Sequence, residues 1–81
     1  MVKVKLGGTL VNKAGGRTEF EVEGANIMQM LRNLGRTCPQ LEPMLEKGVS
    51  VAIDGQIYRD AMFQPVGPEN EIILLPRMAG G

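Results

Sequence analysis

The residues able to do chemistry in this 81-residue chain are few, and the most distinctive stand at its end: Ala79-Gly80-Gly81. Two terminal glycines carry no Cβ and can adopt φ values closed to other residues, so a tail ending this way can thread a narrow channel. The group it would deliver there is the Gly81 carboxylate. A carboxylate is a poor electrophile because its negative charge is delocalised, so it reacts with a nucleophile only after activation. Elsewhere the chemical repertoire is thin. There is no histidine, and Cys38 is the one cysteine. A zinc site of the usual nitrogen and sulfur ligands cannot be built within one such chain, and neither can a Ser-His-Asp or Cys-His nucleophile arrangement. The chain is expected to be acted upon rather than to catalyse. No metal is expected.

Cys38 itself precedes Pro39 and reads as a small, partly buried apolar residue. Only Arg36 nearby would stabilise its thiolate. The six methionines divide: Met30 and Met44 read as core, whereas Met62 and Met78, with Phe63, fall in loop or tail. Methionine adapts to surfaces that bind several partners, so Phe63 and Met78 are candidates for partner contact, against the plainer reading of local loop packing. Arg59 and Arg77 could pair with acidic residues of a partner or be solvated charges worth little.

The elements that must hold the tail can be read from the pattern. Val2, Val4 and Leu6 alternate with Lys3 and Lys5, a half-buried strand. Gly7-Gly8 leaves room for a bend, beyond which the strand could continue through Leu10 and Val11. Residues 12–16, Asn-Lys-Ala-Gly-Gly, read as a turn. In the second strand Thr18, Phe20 and Val22 face one way and Arg17, Glu19, Glu21 and Glu23 the other, and the two strands should pair as an antiparallel hairpin. The glutamates read as a solvated face. Asn26 is a good N-cap, with Gln29 three residues on as in a capping box. Ile27, Met30, Leu31 and Leu34 form one apolar helical stripe, and Gly35 is placed to end the helix. Leu41, Met44 and Leu45 suit a short helical turn, with Pro39 and Pro43 opposing a long helix. Val49, Val51 and Ile53 make a third strand, Asp54-Gly55 a tight turn, and residues 56–59 a short returning strand. Residues 60–70 read as loop. Residues 71–75 form the last strand, whose four consecutive apolar residues suggest burial on both faces of a central position. Pro76 ends it.

The expected fold class is therefore α+β: a mixed sheet of about five strands, one main helix and a short second helical turn, with the first and last strands side by side in the middle and a right-handed crossover. That is the layout of a beta-grasp, ubiquitin-like domain over residues 1–76, followed by an exposed, mobile tail, 77–81, with nothing to pack against.

Composition narrows the partners. Nine basic and nine acidic residues cancel, so there is no electrostatic footprint for nucleic acid or for a membrane surface. The longest apolar run, Ile72-Ile73-Leu74-Leu75, is far short of the ~20 residues a helix needs to span a bilayer. The first residues alternate valine with lysine rather than forming the apolar core of a signal peptide. A cytoplasmic protein is expected.

These residues together resemble a family. Val51-Ala52-Ile53-Asp54-Gly55, then a loop with Gly67 and Glu71, then Ile72-Ile73-Leu74-Leu75-Pro76, then a short spacer and Gly80-Gly81, look like the MoaD/ThiS group of sulfur-carrier proteins, and closer to MoaD, the small subunit of molybdopterin synthase. The resemblance covers nearly the whole chain. It implies that a ubiquitin-activating-like adenylyltransferase uses ATP to adenylate the Gly81 carboxylate, that a sulfur donor such as a cysteine desulfurase or rhodanese converts it to a thiocarboxylate, and that a synthase subunit accepts the sulfur, in molybdopterin or a related cofactor or metabolite. Gly80 would allow passage into the active sites. The chain itself would be a carrier and co-substrate rather than an enzyme, and would bind no cofactor. Arg77 departs from the small or apolar spacer expected of close MoaD relatives, which leaves the receiving pathway open. A ubiquitin-like modifier joined to lysines through Gly81, and a binding module of the same fold, are the competing readings.

Overall fold

The computed structural model describes residues 1–59 and 61–76. Strand β1, Val2–Leu6, buries Val2, Val4 and Leu6 and exposes Lys3 and Lys5. It pairs antiparallel with β2, Glu19–Val22, in the register Val4 to Phe20 and Lys5 to Glu19. The connection is not the simple turn the glycines suggest. Gly8 takes a left-handed φ of 59° and turns the chain out of the sheet into a short helix, α1, Leu10–Lys13. Leu10 and Ala14, four residues apart on one helical face, are both buried in the core. Strand continuation through Leu10 and Val11 would have put these neighbours on opposite faces. The N–H of Gly16 donates to Val11 O at 2.9 Å and closes α1. Thr18, expected to face inward with Phe20 and Val22, is exposed and precedes the strand. Its contribution is its carbonyl, which accepts from the Leu6 N–H at 2.8 Å.

Helix α2, Ile27–Thr37, begins as its sequence predicts. Asn26 Oδ1 accepts from the Gln29 N–H at 2.9 Å, and Gln29 Oε1 in turn accepts from the Ala25 N–H at 2.9 Å. The return bond reaches one residue further back than in a standard capping box. Ile27, Met30, Leu31 and Leu34 are buried along one stripe. Gly35 does not end the helix, which runs one half-turn further. A Cβ at Gly35 would stand 3.2 Å from Glu42 Cγ, so the glycine serves a close approach of the next segment. That segment is a 3-10 turn, Pro39–Leu41, running into α3, Glu42–Lys47. Pro39 and Pro43 lie in the first turns of their elements, where a missing N–H costs nothing. Leu41 is fully buried, and Met44 and Leu45 pack partly against the core.

Strands β3, Val49–Ile53, and β4, Gln56–Tyr58, are joined by Asp54 and Gly55 at φ 50° and 87°, the positive pair a two-residue hairpin turn requires. Strand β5, Ile72–Pro76, lies between β1, to which it is parallel, and β3, to which it is antiparallel. It extends through Pro76, opposite Val49, rather than stopping before it. The five-stranded order is β2-β1-β5-β3-β4, with first and last strands adjacent in the middle as expected. Val4, Leu10, Met30, Leu34, Leu41 and Leu74 are wholly inaccessible at the centre of a single core. This is the beta-grasp arrangement. No helix of the described residues is long and apolar enough to cross a membrane.

Candidate functional site

Residues 77–81 continue from Pro76, and Gly81, Gly80, Met78 and Arg77 lie outside the described residues, as does the proposed tail as a unit. What the structure defines is the platform they leave from. Because β1 and β5 are parallel, the chain's exit lies beside the end of β1 and the start of β3. The Gly7 N–H donates to Leu74 O at 2.8 Å. A Cβ at Gly7 would come within 2.6 Å of Leu75 Cδ2, and one at Gly8 would meet the Pro76 ring at 3.3 Å. The Gly7-Gly8 pair thus turns the chain out of β1 and leaves room for Leu75 and Pro76 beside it.

The outward face of the sheet divides in two. One row runs across all five strands: Glu19, Lys5, Ile73, Ala52 and Ile57. On the β2-β1 side the outward residues are Glu19, Glu21, Lys3 and Lys5, with Lys3 Nζ and Glu19 Oε2 3.9 Å apart. On the β5-β3-β4 side they are Ile73, Leu75, Ala52 and Ile57. Ile57 is 53% exposed, and Ile73 and Leu75 are only half-buried. The apolar run of β5 therefore does not signal burial on both faces. Ile72 and Leu74 point into the core, while Ile73 and Leu75 point outward. This apolar half adjoins the tail exit, since Leu75 is the last residue before Pro76.

The remaining predicted contact residues are not gathered with it. Arg59 is exposed immediately after β4. Phe63 is 78% exposed on a strap, residues 61–66, that crosses the start of α2. There the N–H groups of Ile27 and Met28, which lack partners inside their helix, donate to Gln64 O at 3.0 Å and Met62 O at 2.9 Å. Val66 N–H donates to Ala25 O at 3.0 Å. Phe63 is thus displayed from a segment tied down on both sides. Cys38 is buried, its Sγ 3.6 Å from Gln40 Oε1. Among the described residues no group of three or more His, Cys, Asp or Glu could hold a metal ion.

The loop before β5 is fixed by one carboxylate. Asp54 Oδ1 accepts from the Glu71 N–H at 2.8 Å and Oδ2 from Asn70 Nδ2 at 2.7 Å, while Asn70 Oδ1 accepts from the Gly67 N–H at 2.8 Å. The Glu71 N–H first, and the Asn70 amide second, hold the Asp54 carboxyl below its ordinary value of 3.8. The β3-β4 turn and the entry to β5 are thereby one unit. None of Ile57, Ile73, Leu75 or Asp54 stands out by chemistry. The signal in the sequence was that a single helical layer covers only one face of a sheet, so alternate residues of an apolar central strand must be left facing out.

A ubiquitin-like beta-grasp domain with an apolar half-face beside its tail exit is the class these features define. The model of the ThiS family matches residues 4–81, and the chain belongs to the ThiS family of ubiquitin-like sulfur carriers. Members of that family are small carrier proteins, not enzymes themselves. Among curated protein sequences, none matches this chain. Among solved structures, the small archaeal modifier protein 1 of Methanosarcina acetivorans is similar at 26% identity and a TM-score of 0.79, over 99% of this chain and 95% of that one. The same-named protein of Haloferax volcanii is 26% identical with a TM-score of 0.75, over 99% and 98%. A chain of the Amycolatopsis orientalis BexX/CysO complex shares the fold, at 18% identity and a TM-score of 0.76, with both chains covered in full.

Proposed function

We propose that this chain carries sulfur on its C-terminus. The observation that carries the reading is Gly80-Gly81 at the end of a ThiS-family match that runs to residue 81. An oxygen of the Gly81 carboxylate attacks the α-phosphorus of ATP in an adenylyltransferase and displaces pyrophosphate. A sulfur nucleophile then attacks the acyl carbon and displaces AMP. Where sulfur arrives as a persulfide from a desulfurase or rhodanese, a thiol cleaves the resulting S–S bond and leaves the thiocarboxylate. Gly80 lets the tail pass into each site. The Ile57, Ile73 and Leu75 surface docks the body, with Arg59, Phe63, Arg77 and Met78 as further contacts. The sulfur goes to a synthase subunit making molybdopterin or a related cofactor or metabolite.

The similarity to proteins named modifiers favours one alternative, conjugation to lysines through Gly81. A single experiment separates them. The full chain is incubated with a family adenylyltransferase, ATP and sulfide, and separately expressed in cells, and intact masses are read. A carrier gains only the exchange of one oxygen for sulfur. A modifier appears in high-mass adducts. Deleting Gly81 abolishes either product, and persistence of the sulfur gain after that deletion overturns the assignment.

A further inference from the structure

The helical layer carries a feature that sulfur transfer leaves unused. Between α2 and α3 lies an apolar groove of about 380 Å³ whose walls include Met28, Leu31, Leu45 and Met62. Gly35 lies in it, and lets Glu42 Cγ approach to 3.2 Å of where a Cβ would stand. The flanks carry opposite charge. Arg32 and Arg36, one turn apart on α2, stand on one side; Glu42 and Glu46, one turn apart on α3, stand on the other. Both arginines also line a polar cleft with Glu23 and Gln29 on the far side of α2, which places them on the ridge bounding the groove. All four charged residues are exposed, and among the described residues the only ion pair within 4.0 Å is Lys3–Glu19.

We propose that this groove is a self-association surface on which a second copy of the chain docks about a two-fold axis running along the groove. An axis in that direction exchanges the flanks, setting the arginines of each copy over the glutamates of the other. An axis across the groove would set arginine over arginine. Two cations on one helix and two anions on the next therefore find their complement in an identical copy, which is how isologous interfaces form. The chain's net charge of zero adds no overall repulsion. The adaptable side chains of Met28 and Met62, both in the groove wall, suit the filling of facing floors. The groove lies on the helical layer, so pairing leaves the outward sheet face of both copies uncovered. A groove of about 380 Å³ offers a small contact, which fits a weak pair that exchanges quickly.

Sedimentation equilibrium of the full chain tests the proposal. The mass should be that of a monomer near about 10 µM and rise toward a dimer near about 1 mM. Arg32→Glu with Arg36→Glu, and separately Glu42→Lys with Glu46→Lys, should each remain monomeric at the concentration where the parent is half dimer. An equimolar mixture of the two should form a heterodimer at least about tenfold tighter than either alone, weakening with salt. Recovery in the mixture shows that both variants are folded. In a dilution series followed by NMR, the Met28 and Met62 methyl groups should shift and Ile57 should not. A parent that stays monomeric to 1 mM, charge reversals without effect, a mixture that fails to associate, shifts centred on Ile57, or a groove that takes only a helical peptide in a monomer would each overturn it.

Discussion

Truncation of Ile57 to alanine separates the docking role proposed for the apolar half-face from the reaction proposed at Gly81. Ile57 is 53% exposed on the outer edge of the apolar half-face, across from Ala52 and in one row with Ile73. Full burial of an isoleucine side chain is worth about 1.5–3 kcal/mol. About half of that surface remains for a partner to cover, so Ile57→Ala should weaken docking by about 1 kcal/mol, roughly fivefold. The fold loses less, because the side chain is at an edge strand and already half in water; about 0.5 kcal/mol is expected. The assay is AMP formation by the adenylyltransferase as the concentration of this chain is varied. The KM for the carrier should rise roughly fivefold with kcat unchanged, since Gly81 still reaches the active site and only binding common to ground and transition state is lost. Glu21→Ala, on the charged half of the same face, is the control and should leave KM within about twofold, as exposed charges contribute little. An unchanged KM for Ile57→Ala, or a kcat that falls while KM holds, would refute the assignment of this face to docking.

Three further outcomes follow from the packing. Leu74→Ala removes a fully buried side chain from the central strand and should cost about 2–5 kcal/mol, a large part of the roughly 4–12 kcal/mol expected for a chain of this length; urea melts should show a lower midpoint at unchanged slope. Gly8→Ala places a Cβ at φ 59° and 3.3 Å from the Pro76 ring, and should cost about 1–2 kcal/mol for the left-handed backbone alone, read in the same melts. Asp54→Asn tolerates the positive φ but turns an amide donor toward Asn70 Nδ2. The folded carboxyl titrates below 3.8, so its ionised form contributes stability that is present above that value and is lost as pH falls through the folded value. The parent should therefore be more stable than Asp54→Asn at neutral pH, with the gap closing only below 3.8; a gap constant with pH would mean that the charge is not what fixes the loop.

The strand order, the α2 cap and stripe, and the Asp54-Gly55 turn were legible because each rests on local spacing with one dominant reading. Three features were not. Helix α1 was hidden because Leu10 and Ala14, four residues apart, would share a face in a strand as well as in a helix, and Gly7-Gly8 reads equally well as a bend within a continuing strand. A glycine after an apolar stripe has two uses, ending a helix or admitting a neighbour, and spacing alone does not reveal that Gly35 admits Glu42, from a segment whose placement is tertiary. The apolar half-face was hidden because Ile73 and Leu75 look like core in a run of four. The terminal Gly80-Gly81 is the reverse case: the reactive end proposed above is visible as letters, whereas the surface beside the start of the tail depends on which strands become neighbours.

Strand β5 is what couples these two parts. Its alternate residues serve two surfaces, with Ile72 and Leu74 holding the core and Ile73 and Leu75 facing out, and the same strand leads directly into residues 77–81. A partner that covers Ile73 and Leu75 is therefore held in register with the point where the tail begins. Five residues beyond Pro76 span at most about 18 Å when fully extended. Any active site that uses the Gly81 carboxylate must then lie within that distance of Pro76 on a protein already seated on the outward face. If this face docks the partner as proposed, placing it on the strand that leads into residues 77–81 turns a search by a chain end through solution into delivery over a bounded path. On the proposed reading the body can be nearly featureless in chemistry: recognition would need only shape and apolar area there, with the reacting group carried on residues that continue from the same strand.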